Sequence, residues 1–289
     1  MKLTQFWKDS RPALGLLTGE GTVDVSAEAA RRGVSAPATA LEAVQGGQAA
    51  RAVLEELARN ARCFVPAGAP AAPVITGMDK VLCIGLNYRR HAMECNLPIP
   101  ERPVLFNKFP STLSACGDTI LLQKGYVEYD YEAELVVVMG REARHVSEAE
   151  AMDYVYGYTC GNDVSTRDLQ FALGNQWVLS KSLEGFGPIG PCLVTGDALD
   201  GSHLDISCAV NGEVRQSSNT SDLIFSIPQL IADLSRHFTL LPGDLIFTGT
   251  PAGVMHGYTG EKHWLKAGDR VEVTIQGIGT LWNTFAEEQ

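Results

Sequence analysis

DYEAELVVVMG, residues 130–140, sets two patterns against each other. Val136, Val137, Val138 and Met139 form an unbroken apolar run, as a strand buried on both faces does. Asp130, Glu132 and Glu134 stand at every second position just ahead of that run. Residues two apart on a strand share a face, so three carboxylates line one side at intervals of about 7 Å. Like charges leading into an apolar segment are costly unless something positive sits among them. Carboxylate oxygens suit Mg²⁺, Mn²⁺ or Ca²⁺, and because two ligands are few, a third acid is expected elsewhere. A solvated edge strand or surface ion pairs would also account for an isolated E-x-E.

Outward from this strand, KVLCIGLNY, YGYTCGNDVS, GPCLVTGD, LDISCAVNG, DLIFTGT and DRVEVTIQG read as further strands between Gly/Pro turns. Two helices interrupt them. Ser147 to Glu150 makes a capping box ahead of AEAMDYV, and Ser226 to Gln229 makes another ahead of PQLIADLSRHF. So many strands with so few helices predict an α+β, β-rich fold of mixed sheets, not a doubly wound parallel sheet. The N-terminal part differs in composition. ALGLLTGEGTVDVS predicts a hairpin turning at Gly19-Glu20-Gly21, and ATALEAVQGGQAARAVLEELARNA predicts helix broken at Gly46 and Gly47. The expected organisation is a small α+β domain over residues 1–66, a linker over 67–73 and the main domain over 74–289.

Composition narrows the function. The chain has 34 acidic and 23 basic residues, a net charge of −11, and no basic stripe that would neutralise nucleic-acid phosphates. An anionic small molecule would need local help from particular lysines, arginines or a metal. The N-terminus lacks the apolar core of a signal peptide, and no apolar run reaches the ~20 residues of a membrane span. Seven cysteines without CxxC spacing suggest neither a zinc site nor a disulfide framework. The expected compartment is cytoplasmic.

Four more stretches hold residues with chemistry. GNDVSTRDLQ (161–170) places Asp163 at the end of an apolar strand and Asp168 nearby, where a cap or turn role is the ordinary one. NYRRHAMEC (87–95) puts His91 and Glu94 three apart, on one face of a helical turn. A carboxylate beside an imidazole fixes its tautomer and raises its basicity, as a general base requires, although a packed histidine is the common alternative. QWVLSKSLEGFGPIGP (176–191) carries Lys181, which compensates the carboxylates, stabilises an oxyanion or snorkels to the surface. FTGTPAGV (247–254) ends a strand where backbone N–H groups could meet an anion.

Together and in this order, these blocks resemble the fumarylacetoacetate hydrolase family, from about Lys80 to Phe285. The likeness also rests on PVLFNKFPS, VNGEVRQ and LKAGDRVEVTIQGIGTL. It implies rolled mixed sheets, a homodimer, a Mg²⁺ or Mn²⁺ cofactor (Ca²⁺ in crystals) and a small-molecule oxo-acid substrate. The metal ligands map onto Glu132, Glu134 and Asp163, the catalytic pair onto His91 and Glu94, and the active-site lysine onto Lys181. Arg167, Gln170, Gly249 and Thr250 fall where relatives contact substrate. The implied reaction is hydrolysis of a C–C bond in a 1,3-diketo acid by water that the histidine–glutamate pair activates. Decarboxylation of an oxaloacetate-type acid, or isomerisation or hydration of a 2-hydroxy-diene-dioate, are the alternatives on the same site. Two departures from the family pattern stand out. Thr166 replaces an expected Ala and is expected to narrow the pocket, and Glu184 replaces an expected Asp and is expected to shift Lys181.

Overall fold

The structure, a computed structural model, describes residues 1–172 and 174–289. It opens with β1 (Lys2–Lys8), β2 (Arg11–Thr18) and β3 (Gly21–Asp24). The second hairpin turns at Gly19-Glu20, as the sequence predicts. The first was not foreseen: it turns at Asp9 and Ser10, both at positive φ, which short polar residues tolerate better than most. Helices α1 (Val25–Arg32), α2 (Ala40–Gln45) and α3 (Gly47–Ala58) follow, the last two parted at Gly46.

The middle of the chain begins with β4 (Ala71–Ala72), β5 (Val81–Gly85), α4 (Arg89–Glu94) and β6 (Val104–Lys108). Next come β7 (Leu113–Ser114), β8 (Thr119–Leu122), β9 (Tyr129–Asp130) and β10 (Ala133–Met139). β11 (Val155–Asn162) and β12 (Ser165–Thr166) lead into α5 (Arg167–Ala172) and α6 (Trp177–Lys181). β13 (Gly187–Thr195), β14 (Asp205–Val210), β15 (Glu213–Asn219) and α7 (Ile227–His237) come next. β16 (Leu245–Phe247), β17 (Arg270–Ile275) and β18 (Gly279–Glu287) close the chain.

One helix is shorter than the sequence suggests. Ser147 Oγ does meet Glu150 Oε2, at 2.5 Å, but only a single 3₁₀ turn follows, Ala151–Tyr154. The carbonyl of Tyr154 accepts the Gly140 N–H, and Val155 already belongs to β11, so no second turn can form. The other capping box is as expected, with Gln229 Oε1 accepting the Ser226 N–H at 2.9 Å.

The strands build an eleven-stranded mixed sheet with main order β3-β2-β1-β13-β11-β10-β16-β5-β6. A five-stranded sheet, β15-β14-β17-β18-β8, packs beside it, and β9 and β12 form a separate pair. β10 lies in the middle of the large sheet, antiparallel to both β11 and β16. Its odd residues, Leu135, Val137 and Met139, enter a core shared with the second sheet and α7. Its even residues, Val136 and Val138, enter another core shared with β1, β2 and α3. That two-sided burial explains the unbroken apolar run. The composition change near residue 66 is bridged by hydrogen bonding: β1 pairs with β13, at Leu3 opposite Leu193. No described helix is long and apolar enough to cross a membrane.

Candidate active site

The alternation that places Val136 and Val138 on one face carries Glu134 and Glu132 toward the end of that face. Glu134 stands opposite Gly161 on β11, and the Asp163 N–H donates to the Glu132 carbonyl at 2.9 Å. The chain leaving β11 thus delivers Asp163 to the E-x-E pair. One ligand oxygen from each of the three carboxylates lies within 4.8 Å of the others, and all three residues are buried.

Three buried cations surround the cluster. Lys181 Nζ donates to Glu132 Oε2 at 2.8 Å, Asp163 Oδ2 at 2.6 Å and Ser165 Oγ at 2.9 Å. An ammonium has three N–H donors, so all are committed, and none is left to steady an oxyanion in this arrangement. Lys181 therefore neutralises and orders the carboxylates. Arg167 donates to Asp130 Oδ2 at 3.0 Å, to Gln170 Oε1 at 2.9 Å, and to Glu132 Oε1. Lys108 Nζ lies 2.6 Å from Asp163 Oδ1 and donates to the carbonyl of Lys181. Among the described residues Asp163 Oδ1 has this ion pair but no hydrogen bond.

Asp130 is fully buried rather than at the rim. It accepts the N–H groups of Met255 and His256, each at 2.9 Å, and aims Arg167. Four buried carboxylates thus face three buried cations, and among the described residues Glu134 has no ion-pair partner. Among the described residues, the one hydrogen bond to its carboxylate is from the Gly249 N–H to Oε2, at 2.8 Å. Gly249 has φ +102°, and a Cβ there would lie 2.8 Å from the Asn87 Cβ, so the backbone can come this close only as glycine.

Electrostatics separate the acids. Burial, then the charges of Asp163 and Glu132, push Glu134 well above the usual carboxylate range. Burial works against ionised Glu132 too, but Lys181 and Arg167 hold it below that range. A site with one uncompensated carboxylate and one carboxylate oxygen lacking a hydrogen bond fits a divalent cation, held by Glu132, Glu134 and Asp163.

Helix α4 brings His91 and Glu94 together as the three-residue spacing predicts, with Nδ1 2.7 Å from Oε1. Glu94 Oε2 accepts the Gly253 N–H at 2.9 Å, which fixes the carboxylate. Burial lowers the His91 pKa, but hydrogen bonds with Cys95 and Glu94 and the charge of Glu132 outweigh it, pushing it up to about 9. A cation among the carboxylates would oppose that rise.

His91 of this pair and Glu132 and Glu134 of the cluster line one cavity of about 210 Å³. His91, Glu132, Glu134, Arg167, Gln170, Lys181 and Thr250 face it, and Leu97, Phe106, Phe171 and Trp177 supply apolar walls. Gly249 contributes its N–H from behind Glu134. Thr250 Oγ1 accepts from Gln216, whose own Oε1 accepts the Ala133 N–H, so β15 braces this corner. Sequence reasoning missed Lys108, Gln216 and His256. Lys108 and Gln216 lie inside PVLFNKFPS and VNGEVRQ, the one signal that pointed to them.

Neither departure acts as expected. Thr166 is buried in β12 opposite Tyr129 and does not line the cavity, and its hydroxyl has no hydrogen-bond partner. Glu184 is exposed, and the three donors of Lys181 go elsewhere. Asp168 accepts the N–H groups of Val127 and Leu169, a turn role.

Comparison with known proteins identifies the family. The family model described as fumarylacetoacetate (FAA) hydrolase C-terminal matches residues 80–286. The rat mitochondrial protein named oxaloacetate tautomerase Fahd2a is 39% identical, across 98% of this chain and 91% of its own length. Among solved structures, maleylpyruvate hydrolase from Sphingobium sp. SYK-6, in complex with manganese(II) ion and pyruvate, superposes with a TM-score of 0.82 at 28% identity. The 5-carboxymethyl-2-hydroxymuconate delta-isomerase from Mycobacterium smegmatis does so with 0.79 at 32%. Both likenesses cover the whole of each chain.

Proposed function

The chain belongs to the fumarylacetoacetate hydrolase family, and from that premise we propose that it moves a proton at the carbon beside the keto group of a small 2-oxo diacid of the oxaloacetate type, interconverting keto and enol forms. The observation that carries this reading is His91, held by Glu94, lining the same small cavity as Glu132 and Glu134. At about 210 Å³ that cavity is smaller than the ~300–1,000 Å³ of pockets for drug-sized ligands, which favours a short acid. The likeness to a tautomerase along nearly the full chain supports the same choice.

A divalent ion such as Mg²⁺ or Mn²⁺ on Glu132, Glu134 and Asp163 would supply Lewis-acid polarisation of the keto oxygen. The chain's own residues do the rest. Glu94 holds Nδ1–H of His91, and a cation opposing the rise in its pKa would leave Nε2 free to take the proton from carbon and return it to oxygen. Lys181 and Lys108 hold Asp163 in place by ion pairs, and Arg167 does so for Glu132. Thr250 and Gln170 offer polar atoms at the wall for a carboxylate of the substrate.

A second reading, the C–C hydrolysis of an acylpyruvate, places a water where the first needs none. The likeness to maleylpyruvate hydrolase favours it. One assay separates the two: the enol absorbance of oxaloacetate is followed with and without enzyme, beside a panel of acylpyruvates scored for pyruvate release. Faster enol–keto exchange, abolished by EDTA and restored by Mg²⁺ or Mn²⁺, is the expected result. Pyruvate release from an acylpyruvate with no effect on oxaloacetate would replace the first reading by the second.

A further inference from the structure

We infer that His91, Glu94 and Cys95 form a second cation site, selective for a thiophilic divalent ion such as Zn²⁺, which silences the proton-moving pair when filled. Helix α4 and its C-cap residue Cys95 set the three residues at i, i+3 and i+4, close to one helical face. One ligand atom from each lies within 4.8 Å of the others. Nδ1 of His91 stands 2.7 Å from Glu94 Oε1 and 3.9 Å from Cys95 Sγ. Tetrahedral zinc with Zn–S near 2.3 Å and Zn–N near 2.0–2.1 Å sets its ligands ~3.4–3.6 Å apart. Both observed separations reach that range by sub-ångström side-chain movements.

The surroundings suit an ion. Glu94 Oε2 is anchored by the Gly253 N–H, which leaves Oε1 to coordinate, and such outer partners orient metal ligands. His91 and Cys95 both line the cavity, which supplies an entry path and room for a water as fourth ligand. The donor set also differs from that of the other cluster. Three carboxylates select a hard ion, whereas nitrogen, oxygen and sulfur together select a softer one. Coordination displaces the protons of the Cys95 thiol and of His91 Nδ1, so the Nδ1–H that Glu94 holds is lost. The inhibitory consequence rests on the proton-transfer reading, while the binding itself does not.

Cd²⁺ serves as the probe, added to enzyme saturated with Mg²⁺ so that the carboxylate cluster is already filled. Thiolate-to-cadmium charge-transfer absorption in the ultraviolet reports coordination by sulfur, which the carboxylate cluster cannot produce. One equivalent of band is expected in the parent protein and in Glu134→Gln, and none in Cys95→Ser. Zn²⁺ affinity by titration calorimetry should fall in Cys95→Ser and His91→Gln by at least the roughly 10–100-fold that losing an outer partner costs a metal site. No band in the parent, or an equal band in Cys95→Ser, would overturn the site. A Cys95-dependent band with turnover untouched would uphold the site and overturn the role given to His91.

Discussion

At the scale of single residues, the site depends on close approaches that permit little change. Gly249 is the sharpest case, because its N–H is the one hydrogen-bond donor to Glu134 and its φ of +102° disfavours any side chain. Gly249→Ala adds a Cβ 2.8 Å from that of Asn87 and 3.0 Å from the Ile84 carbonyl oxygen. Strained backbone of this sort costs on the order of 1–3 kcal/mol. Denaturant unfolding should show a loss of that size, and calorimetry should show weaker Mg²⁺ or Mn²⁺ binding, since Glu134 moves with its donor. Unchanged metal affinity would separate Gly249 from the cluster. The proton-moving pair makes the opposite demand on experiment. His91→Asn should leave Mg²⁺ or Mn²⁺ binding at the carboxylate cluster intact and lower kcat by about 10²–10⁴-fold, the usual worth of a positioned acid–base group. A drop in metal affinity of the same size would show that His91 holds the cluster instead.

At the scale of elements, what the sequence discloses follows from how far each signal travels along the chain. β10 is legible because alternation and apolar runs are local, whereas Asp163 alone reads as a cap or turn residue and joins the pair only through the family resemblance. The His91–Glu94 pair is legible because three residues make most of a helical turn. Lys108 was not, since a lysine at the end of an edge strand looks like any other until the fold sets it beside Asp163. The single 3₁₀ turn after Ser147 was misread because a capping box starts a helix but does not say when the next strand ends it. Glu28 on α1 shows the same limit. It accepts from Arg31 and Arg32 and from the N–H groups of Arg62 and Cys63, joining α1 to the segment after α3. Its side chain is sealed from solvent, though only shallowly beneath the surface. The bond to Arg31 outweighs burial and holds Glu28 far below its ordinary pKa of 4.5. A carboxyl depressed on folding contributes stability above its unfolded pKa and loses it as pH falls. Glu28→Gln should therefore lower Tm near pH 7, and the gap from the parent should close as pH drops through 4.5 and below. A gap independent of pH would assign the loss to packing rather than to charge.

At the scale of the whole molecule, the change in composition near residue 66 is not a break in the architecture. β1 hydrogen bonds β13 and also β4, so the large sheet runs from the first strand to the strands that carry the carboxylates. The core on the even face of β10 is made jointly. Leu3, Leu14, Leu16, Val23, Leu54 and Leu57 come from the N-terminal part, and Val136, Val138, Ile189, Leu193 and Phe247 from the rest. A chain beginning at residue 74 would expose that face and leave β13 with an open edge toward β1, a template for aggregation. Six large side chains at ~1.5–3 kcal/mol each rival the ~5–15 kcal/mol that stabilises a whole domain. We therefore expect the 74–289 fragment to lack a cooperative unfolding transition, to bind a hydrophobic dye, and to bind neither Mg²⁺ nor Mn²⁺. Co-expression with residues 1–66 should restore cooperative unfolding and metal binding and abolish dye binding, because the lost contacts are non-covalent. A 74–289 fragment that melts cooperatively and binds metal alone would show that the β1–β13 pairing is an attachment, and that Glu132, Glu134 and Asp163 are held in place without it.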